Sequence, residues 1–192
     1  MNARGALPLV ILSALSIAPA HADDVTDQIN EALAAYNKKD VPTAMAGLEA
    51  ALNLLRQGRA DSYGKLLPAV PAGWQADEIE TIASGLAALG GGAGASRKYR
   101  KGDDTVTVSI LADSPMLQAL SAFASSGIAA MAGGRTTIVN GRRTIYMKDE
   151  GSFSTIVSDR ILVRVEGRGL PEATLKQFLT AIDFAAVEKA AK

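Results

Sequence analysis

Residues 136–166 limit most strongly what this chain can fold into. They consist of short runs rich in β-branched residues, separated by turn sequences. Asn140-Gly141 lies between the first two runs, and Asn-Gly in this setting favours a two-residue hairpin, because a type I′ turn needs positive φ at both central residues. Residues 149–151 and 158–160 mark two further turns. The segment therefore predicts four antiparallel strands in a meander.

The last of these strands indicates how the sheet is covered. Ile161, Val163 and Val165 alternate with Arg164 and Glu166, so one face is apolar and the other is mostly polar. We expect the three apolar side chains to point into the core beneath a helix, with Arg164 on the opposite face.

The first 22 residues have the features of a signal peptide. Arg4 supplies the positive charge, residues 7–18 are uncharged and mostly apolar, and residues 20–22 (Ala-His-Ala) fit a small-x-small cleavage pattern. An apolar run of about 12 residues is too short to span a bilayer, which takes roughly 20. We therefore expect residues 1–22 to be removed, the mature protein to be periplasmic, and no association with the membrane.

The chain lacks cysteine, and its single histidine, His21, lies inside the predicted signal peptide. A mature chain without Cys or His excludes Ser-His-Asp triads, cysteine nucleophiles, disulfides and ordinary zinc or copper sites within one chain. We expect no catalytic residues, no metal and no cofactor. The formal net charge of zero argues against nucleic acid as a partner, because nucleic-acid binders carry a clear basic excess.

Residues 23–68 predict two helices. Apolar residues recur at helical spacing in two stripes, Val25, Ile29, Leu33 and Tyr36 in the first and Met45, Leu48, Leu52 and Leu55 in the second. Between the stripes, Asp40 is suited to cap the second helix, with Pro42 in its first turn.

This helical pair resembles one tetratricopeptide-type repeat. Ala32, Tyr36, Asp40, Ala44 and Ala51 match the small-residue and turn positions of that family. Such repeats bury their core by stacking several units, and a second copy is not evident in the sequence. We therefore favour packing of the hairpin on its own domain over a peptide-binding groove.

A change from helical to strand periodicity follows Pro68. Residues 68–73 form a Pro- and Gly-rich linker, and residues 74–80 are a possible first strand. Residues 84–95 are rich in Ala and Gly but lack the phosphate-loop motif, which favours a hairpin loop or a loose apolar segment. Residues 97–100 and 105–111 predict a hairpin, and its inward side chains are Val106, Val108 and Ile110.

Two further helices are predicted. Residues 114–132 begin with Ser-Pro and carry no charge over the 17 residues 116–132. Such a segment is either a lipid-binding helix or a helix packed on the sheet, and the absence of Lys and Arg favours packing. Residues 171–182 predict a final helix with an apolar stripe of Leu175, Phe178, Leu179 and Ile182.

These elements predict an α+β fold, with an N-terminal helical hairpin (23–68) followed by an antiparallel sheet, a meander covered by helices (69–192). We expect about five to seven strands. Pro71, Gly73 and Trp74, followed by this order of elements, resemble the Mog1/PsbP-type α/β/α sandwich over residues 70–187. That resemblance implies an accessory or binding role. The whole chain is also similar to exported proteins of Gram-negative bacteria without a known activity.

Three groups of residues are candidate sites. Ser62 and Lys65 match the S-x-x-K of serine acyl-enzymes without its companion motifs. Acidic pairs at 23–24, 103–104 and 149–150 fall at a terminus or in turns and lack the spacing of a calcium loop. Six basic residues on or beside strands are candidates for an anion or partner site, namely Lys98, Arg100, Arg142, Arg143, Arg164 and Arg168.

The sequence thus favours an exported, non-catalytic accessory or binding protein with an unidentified protein or small-molecule partner. The alternative is a periplasmic carrier of a hydrophobic or lipid ligand, in which residues 82–94 and 116–132 line a cavity. A hydrolase that uses the Ser-Lys pair ranks third.

Overall fold

The computed structural model describes residues 21–82, 92–113, 117 and 133–191. The described chain contains two N-terminal helices, an antiparallel sheet and two C-terminal helices, which confirms the predicted α+β class. The elements are α1 (His21–Asn37), α2 (Val41–Gly64), β1 (Gln75–Ala76), β2 (Glu80–Ile82), β3 (Ala93–Lys101), β4 (Asp104–Ala112), β5 (Gly134–Val139), β6 (Arg142–Met147), β7 (Ser152–Val157), β8 (Ile161–Glu166), α3 (Glu172–Thr180) and α4 (Phe184–Ala190).

The sheet has eight strands in the described part of the chain, in the order β1-β3-β4-β8-β7-β6-β5, with β2 also paired to β3. The meander predicted over residues 136–166 is present as β5 to β8. Asn140 and Gly141 join β5 to β6 with φ of 49° and 73°, as a type I′ turn requires. The strand count exceeds the expected five to seven. One reason is that the predicted first strand is two short pieces, β1 and β2, which pair with different parts of β3.

One face of the sheet forms the core. Ile161, Val163 and Val165 are completely buried, as the alternation in β8 predicts, and α3 covers this face with Leu175 and Phe178. The final predicted helix is therefore present as α3. A seven-residue helix, α4, follows it and was not predicted.

The last turns of α2 belong to the same core. Ala60 and Tyr63 are buried among residues of β3, β4 and α3. Just beyond α2, the Pro68 carbonyl accepts a hydrogen bond of 2.6 Å from the hydroxyl of Tyr99, a fully buried residue of β3. The helical hairpin is thus anchored to the sheet by one end of α2.

The rest of the hairpin packs differently from what its apolar stripes suggest. The buried residues between α1 and α2 are small: Ala32, Ala35, Ala44, Gly47 and Ala51. A Cβ atom added to Gly47 would lie only 3.0 Å from Cβ of Ala32, so the two backbones approach closely. The large apolar side chains are turned away from this seam. Within the described residues, the expected packing of the hairpin on its own domain holds only for the end of α2.

Two other predictions concern the Gly-rich segment before β3 and the helix after β4. The Gly-rich segment was expected to be a loop, but its described end, Ala93 to Ala95, is the start of β3. A Cβ atom at Gly94 would lie 2.5 Å from the Ile110 carbonyl oxygen, so glycine here serves a close approach of two strands. The predicted helix over residues 114–132 lies outside the described residues, except for Leu117, which is buried.

Candidate functional site

The structure spreads the six predicted basic residues over the sheet instead of gathering them. Lys98 and Arg100 are on β3, Arg142 and Arg143 on β6, Arg164 on β8 and Arg168 in the turn after β8. Strands β3 and β6 are separated by three others, which places them about 19 Å apart. Arg142 and Arg143 are consecutive in a strand and therefore point to opposite faces.

The two basic residues of β3 are held by carboxylates. Arg100 donates from Nε and Nη2 to both carboxylate oxygens of Asp77, at 2.8–3.1 Å. These hydrogen bonds lower the pKa of the Asp77 carboxyl and raise that of Arg100. Lys98 Nζ lies 3.3 Å from Glu80 Oε1. The Arg100–Asp77 pair links the segment between β1 and β2 to β3, and the Lys98–Glu80 pair links β2 to β3.

Of the other four basic residues, Arg142 and Arg164 are also paired with carboxylates. Arg142 Nη2 donates to Glu188 of α4 at 2.5 Å, and Arg164 Nη2 donates to Glu150 at 3.0 Å. Arg164 Nε also lies 3.4 Å from Glu166 Oε2, a contact between charges without hydrogen-bond geometry. Arg143 and Arg168 are exposed and have no ion pair within the described chain. The ion pairs of these basic residues connect strands and helices of the fold, and the six residues do not form one shared anion site.

The candidate Ser-Lys pair also has a local explanation. The Ser62 hydroxyl donates to the Gly58 carbonyl one turn earlier in α2, at 2.9 Å, and both Ser62 and Lys65 are exposed. A serine hydroxyl that donates a hydrogen bond to the carbonyl one turn earlier is common in helices. Among the described residues, no group of three or more acidic, His or Cys side chains is placed to hold a metal ion.

The feature that stands out is an exposed apolar surface on the helical hairpin. Eight large apolar side chains of α1 and α2 are between 44% and 65% exposed. We call this surface the hairpin face, and it consists of Ile29, Leu33, Tyr36, Val41, Met45, Leu48, Leu52 and Leu55. Single exposed apolar residues are ordinary, but a contiguous group of this size is typical of interaction surfaces.

Helix geometry places the eight side chains on one side of the hairpin. Successive residues are rotated by about 100° around a helix axis. Viewed along the axis of α1, Ile29 and Leu33 lie about 90° around the helix from Ala32, which contacts α2. In α2, Leu48 and Leu52 also lie about 90° from the residues of the seam, in the same direction of rotation. Because the two helices are joined by a tight turn and run in opposite directions, equal offsets fall on the same side. The hairpin face is therefore continuous across both helices.

The acidic residues of α1 lie on the other side. Asp24, Asp27 and Gln28 line a cavity of about 690 Å³ together with Asn53 and Gln57 of α2. The hairpin is thus apolar on one side and polar on the other, with the small-residue seam between them.

At the end of α2, the hairpin face meets the end of the sheet. A cavity of about 380 Å³ lies there, lined by Leu52, Leu55 and Arg56 from α2 and by Gly92, Ala93 and Asp113 from the sheet side, with Arg59 beside them. The Asp113 carboxylate accepts from Arg59 Nη1 at 2.6 Å and from Arg160 Nε at 2.9 Å. This three-residue network links α2 to the end of β4 and to the start of β8.

No protein-family model, curated protein or solved structure matches this chain. The resemblance to the Mog1/PsbP-type sandwich therefore stays an expectation. No helix among the described residues is long and apolar enough to cross a membrane.

The sequence identified seven of the eight residues of the hairpin face, all but Val41, but not their exposure. Large residues at helical spacing usually indicate a buried face. The signal that could have corrected this is a second stripe on the same helices, formed by Ala32, Ala35, Ala44, Gly47 and Ala51. A helix pair with one small and one large apolar stripe can use the small one for the internal contact.

Proposed function

We propose that this protein is an exported, non-catalytic binding protein and that the hairpin face is the surface on which its partner docks. The observation that carries the proposal is the size of this face: eight large apolar side chains, each about half exposed, offer on the order of 800 Å² of surface. That is the area each partner contributes to a standard protein–protein interface.

The anchoring of the hairpin supports this role. Ala60 and Tyr63 fix the end of α2 in the core, and Arg59 binds Asp113. The face is therefore carried by helices whose position is set by the body of the protein. A surface that is ordered before binding loses less conformational entropy when a partner docks.

The other two functions are less well supported. The carrier hypothesis relies on residues 82–94 and 116–132, most of which lie outside the described residues. The hydrolase hypothesis relies on Ser62, whose hydroxyl is bonded to the backbone of its own helix. The anion site expected at the six basic residues would require Arg100, Arg142 and Arg164 to leave their carboxylate partners.

A photo-crosslinking amino acid at position 48 tests the proposal in cells that export the protein. We expect it to give a discrete crosslinked product, because Leu48 lies at the middle of the hairpin face. The control is the same amino acid at position 103, which is exposed in the turn between β3 and β4, far from the hairpin. Normal export of the variants with no product from position 48, or equal products from both positions, would refute the docking function.

A further inference from the structure

We infer that the occupant of the hairpin face is a second copy of this chain, so that two hairpins pack face to face as a four-helix bundle. This inference rests on the docking function proposed above and names its partner. A two-fold contact uses the same patch on both subunits, so the complementary surface is one that the structure already provides.

The shape of the hairpin face suits such a contact. Because Gly47 lies against Ala32, the two helices approach closely and present two neighbouring rows of large side chains. The rows extend over the 15 residues from Val41 to Leu55 of α2, about 22 Å of helix. Two layers of this kind pack by fitting the rows of one into the grooves of the other, which is the usual packing of four-helix bundles.

The area also fits. On the order of 800 Å² from each copy gives about 1,600 Å² in total, the size of a stable and specific interface. Smaller apolar surfaces would leave a weak or transient contact. The area here is sufficient without any contribution from the sheet.

A lipid surface is a worse fit than a second copy. Helices that lie on membranes usually carry Lys and Arg on their polar face, which attract anionic lipids. This hairpin instead has an acidic excess, with seven acidic and four basic residues over 23–64, and Asp24 and Asp27 lie on its polar side. The charge of the hairpin thus disfavours an anionic membrane and has no effect on an uncharged contact between two copies.

The oligomeric state of the purified protein tests the inference. We expect sedimentation equilibrium to give twice the mass of one chain. Leu33→Asp combined with Leu48→Asp should give a monomer with an unchanged circular dichroism spectrum, because both side chains are 55% exposed. The matched control is Ile138→Asp, which places the same charge at another exposed apolar residue, 62% exposed on β5, and should leave the dimer intact.

The absence of cysteine allows a second, positional test. In Leu48→Cys the introduced thiol is the only one in the chain, so mild oxidation should give a disulfide-linked dimer. Asp103→Cys, in the turn between β3 and β4, should stay monomeric on denaturing gels. A linked dimer from position 48 alone would place the hairpin faces against each other.

Other outcomes overturn the inference and are separable from failure of the docking function. A wild-type monomer up to about 100 µM, well above the Kd of ordinary specific interfaces, refutes the second copy. If position 48 then crosslinks to a protein of different mass, the docking function stands with another partner. A dimer that survives Leu33→Asp with Leu48→Asp uses another surface and also refutes the inference. A monomer without any crosslink refutes both.

Discussion

Val163 occupies the middle of β8, where it is completely buried between Ile110 of β4 and Thr155 of β7. Val163→Asp would place a carboxylate without a partner in this core. We expect a loss of several kcal/mol from a total stability of about 5–15 kcal/mol, measured by urea unfolding.

Arg164 is the matched control for that substitution. It lies on the opposite face, its side chain is 38% exposed, and its contacts with Glu150 and Glu166 are surface ion pairs. Arg164→Ala should therefore cost about 0.5 kcal/mol or less. Equal destabilisation by the two substitutions would mean that Val163 and Arg164 are assigned to the wrong faces of β8.

Tyr99 gives a prediction for alkaline pH. Burial raises the pKa of its phenol, although the neighbouring Arg97 partly opposes this. The neutral phenol contributes its full stabilisation below about pH 10, which is the ordinary pKa of tyrosine in the unfolded chain. This stabilisation is lost as the pH rises through the higher pKa of the folded state.

Tyr99→Phe should accordingly have two effects. At pH 7 it leaves the Pro68 carbonyl without its donor and should cost about 1–2 kcal/mol. Above pH 10 the difference from the wild type should shrink, because the variant lacks the group that ionises. Thermal melts between about pH 7 and 11 measure this. A constant difference across the range would contradict the prediction.

At the scale of elements, the seam between α1 and α2 depends on a single glycine. A side chain at Gly47 meets Cβ, Cα and N of Ala32 at 3.0–3.3 Å, so Gly47→Val has to push the helices apart. We expect a loss of about 1–3 kcal/mol and faster proteolysis of α1.

Gly58 is the control for this prediction, because it lies in the same helix with nothing within 4 Å of an added Cβ. Gly58→Ala should stabilise the protein by about 0.5–1 kcal/mol through helix propensity. Thermal melts of both variants separate the effect of the seam from the effect of a glycine in a helix. A stabilising Gly47→Val would show that the close approach is not required.

The elements that sequence predicts well here are those with a local cause. The meander follows from Asn140-Gly141 and from the alternation in β8, and α2 begins at the cap that Asp40 provides for the Thr43 amide. The exposure of Leu33 and Leu48 was not predictable from their spacing, because it depends on which of two stripes the partner helix uses. Helix α4 carried a usable signal, since Asp183 caps it by accepting from the amides of Ala185 and Ala186.

The candidate site was predictable only in its residues. The basic residues of the sheet were singled out by charge, yet Arg100 and Arg142 are matched by Asp77 and Glu188, which lie 23 and 46 positions away in sequence. Pairing over such distances is decided by the arrangement of strands and helices. Charge counting along one strand cannot reveal it.

At the scale of the whole molecule, stability should not depend on metal ions or disulfides. The chain has no cysteine, and the described residues contain no cluster of three metal-binding side chains. Millimolar EDTA and reductant should leave the melting temperature unchanged relative to a control of equal ionic strength. A shift above about 3 °C with EDTA would reveal a carboxylate site worth about a kilocalorie.

The pairing of β4 with β8 also has a consequence for the order of folding. Strands β3 and β4 form one unit of sequence neighbours, and β5 to β8 form another. In the described sheet they are joined by the pairing of Thr107–Ala112 with Ile161–Glu166, which closes a long loop whose entropy is lost before the contact is gained. The two units can therefore form early and separately, and the barrier to folding is expected at the step that brings Ile110 against Val163. Substitutions at this junction and in the turn at Asn140 should both slow folding, because the contacts of both are made by the time the barrier is crossed.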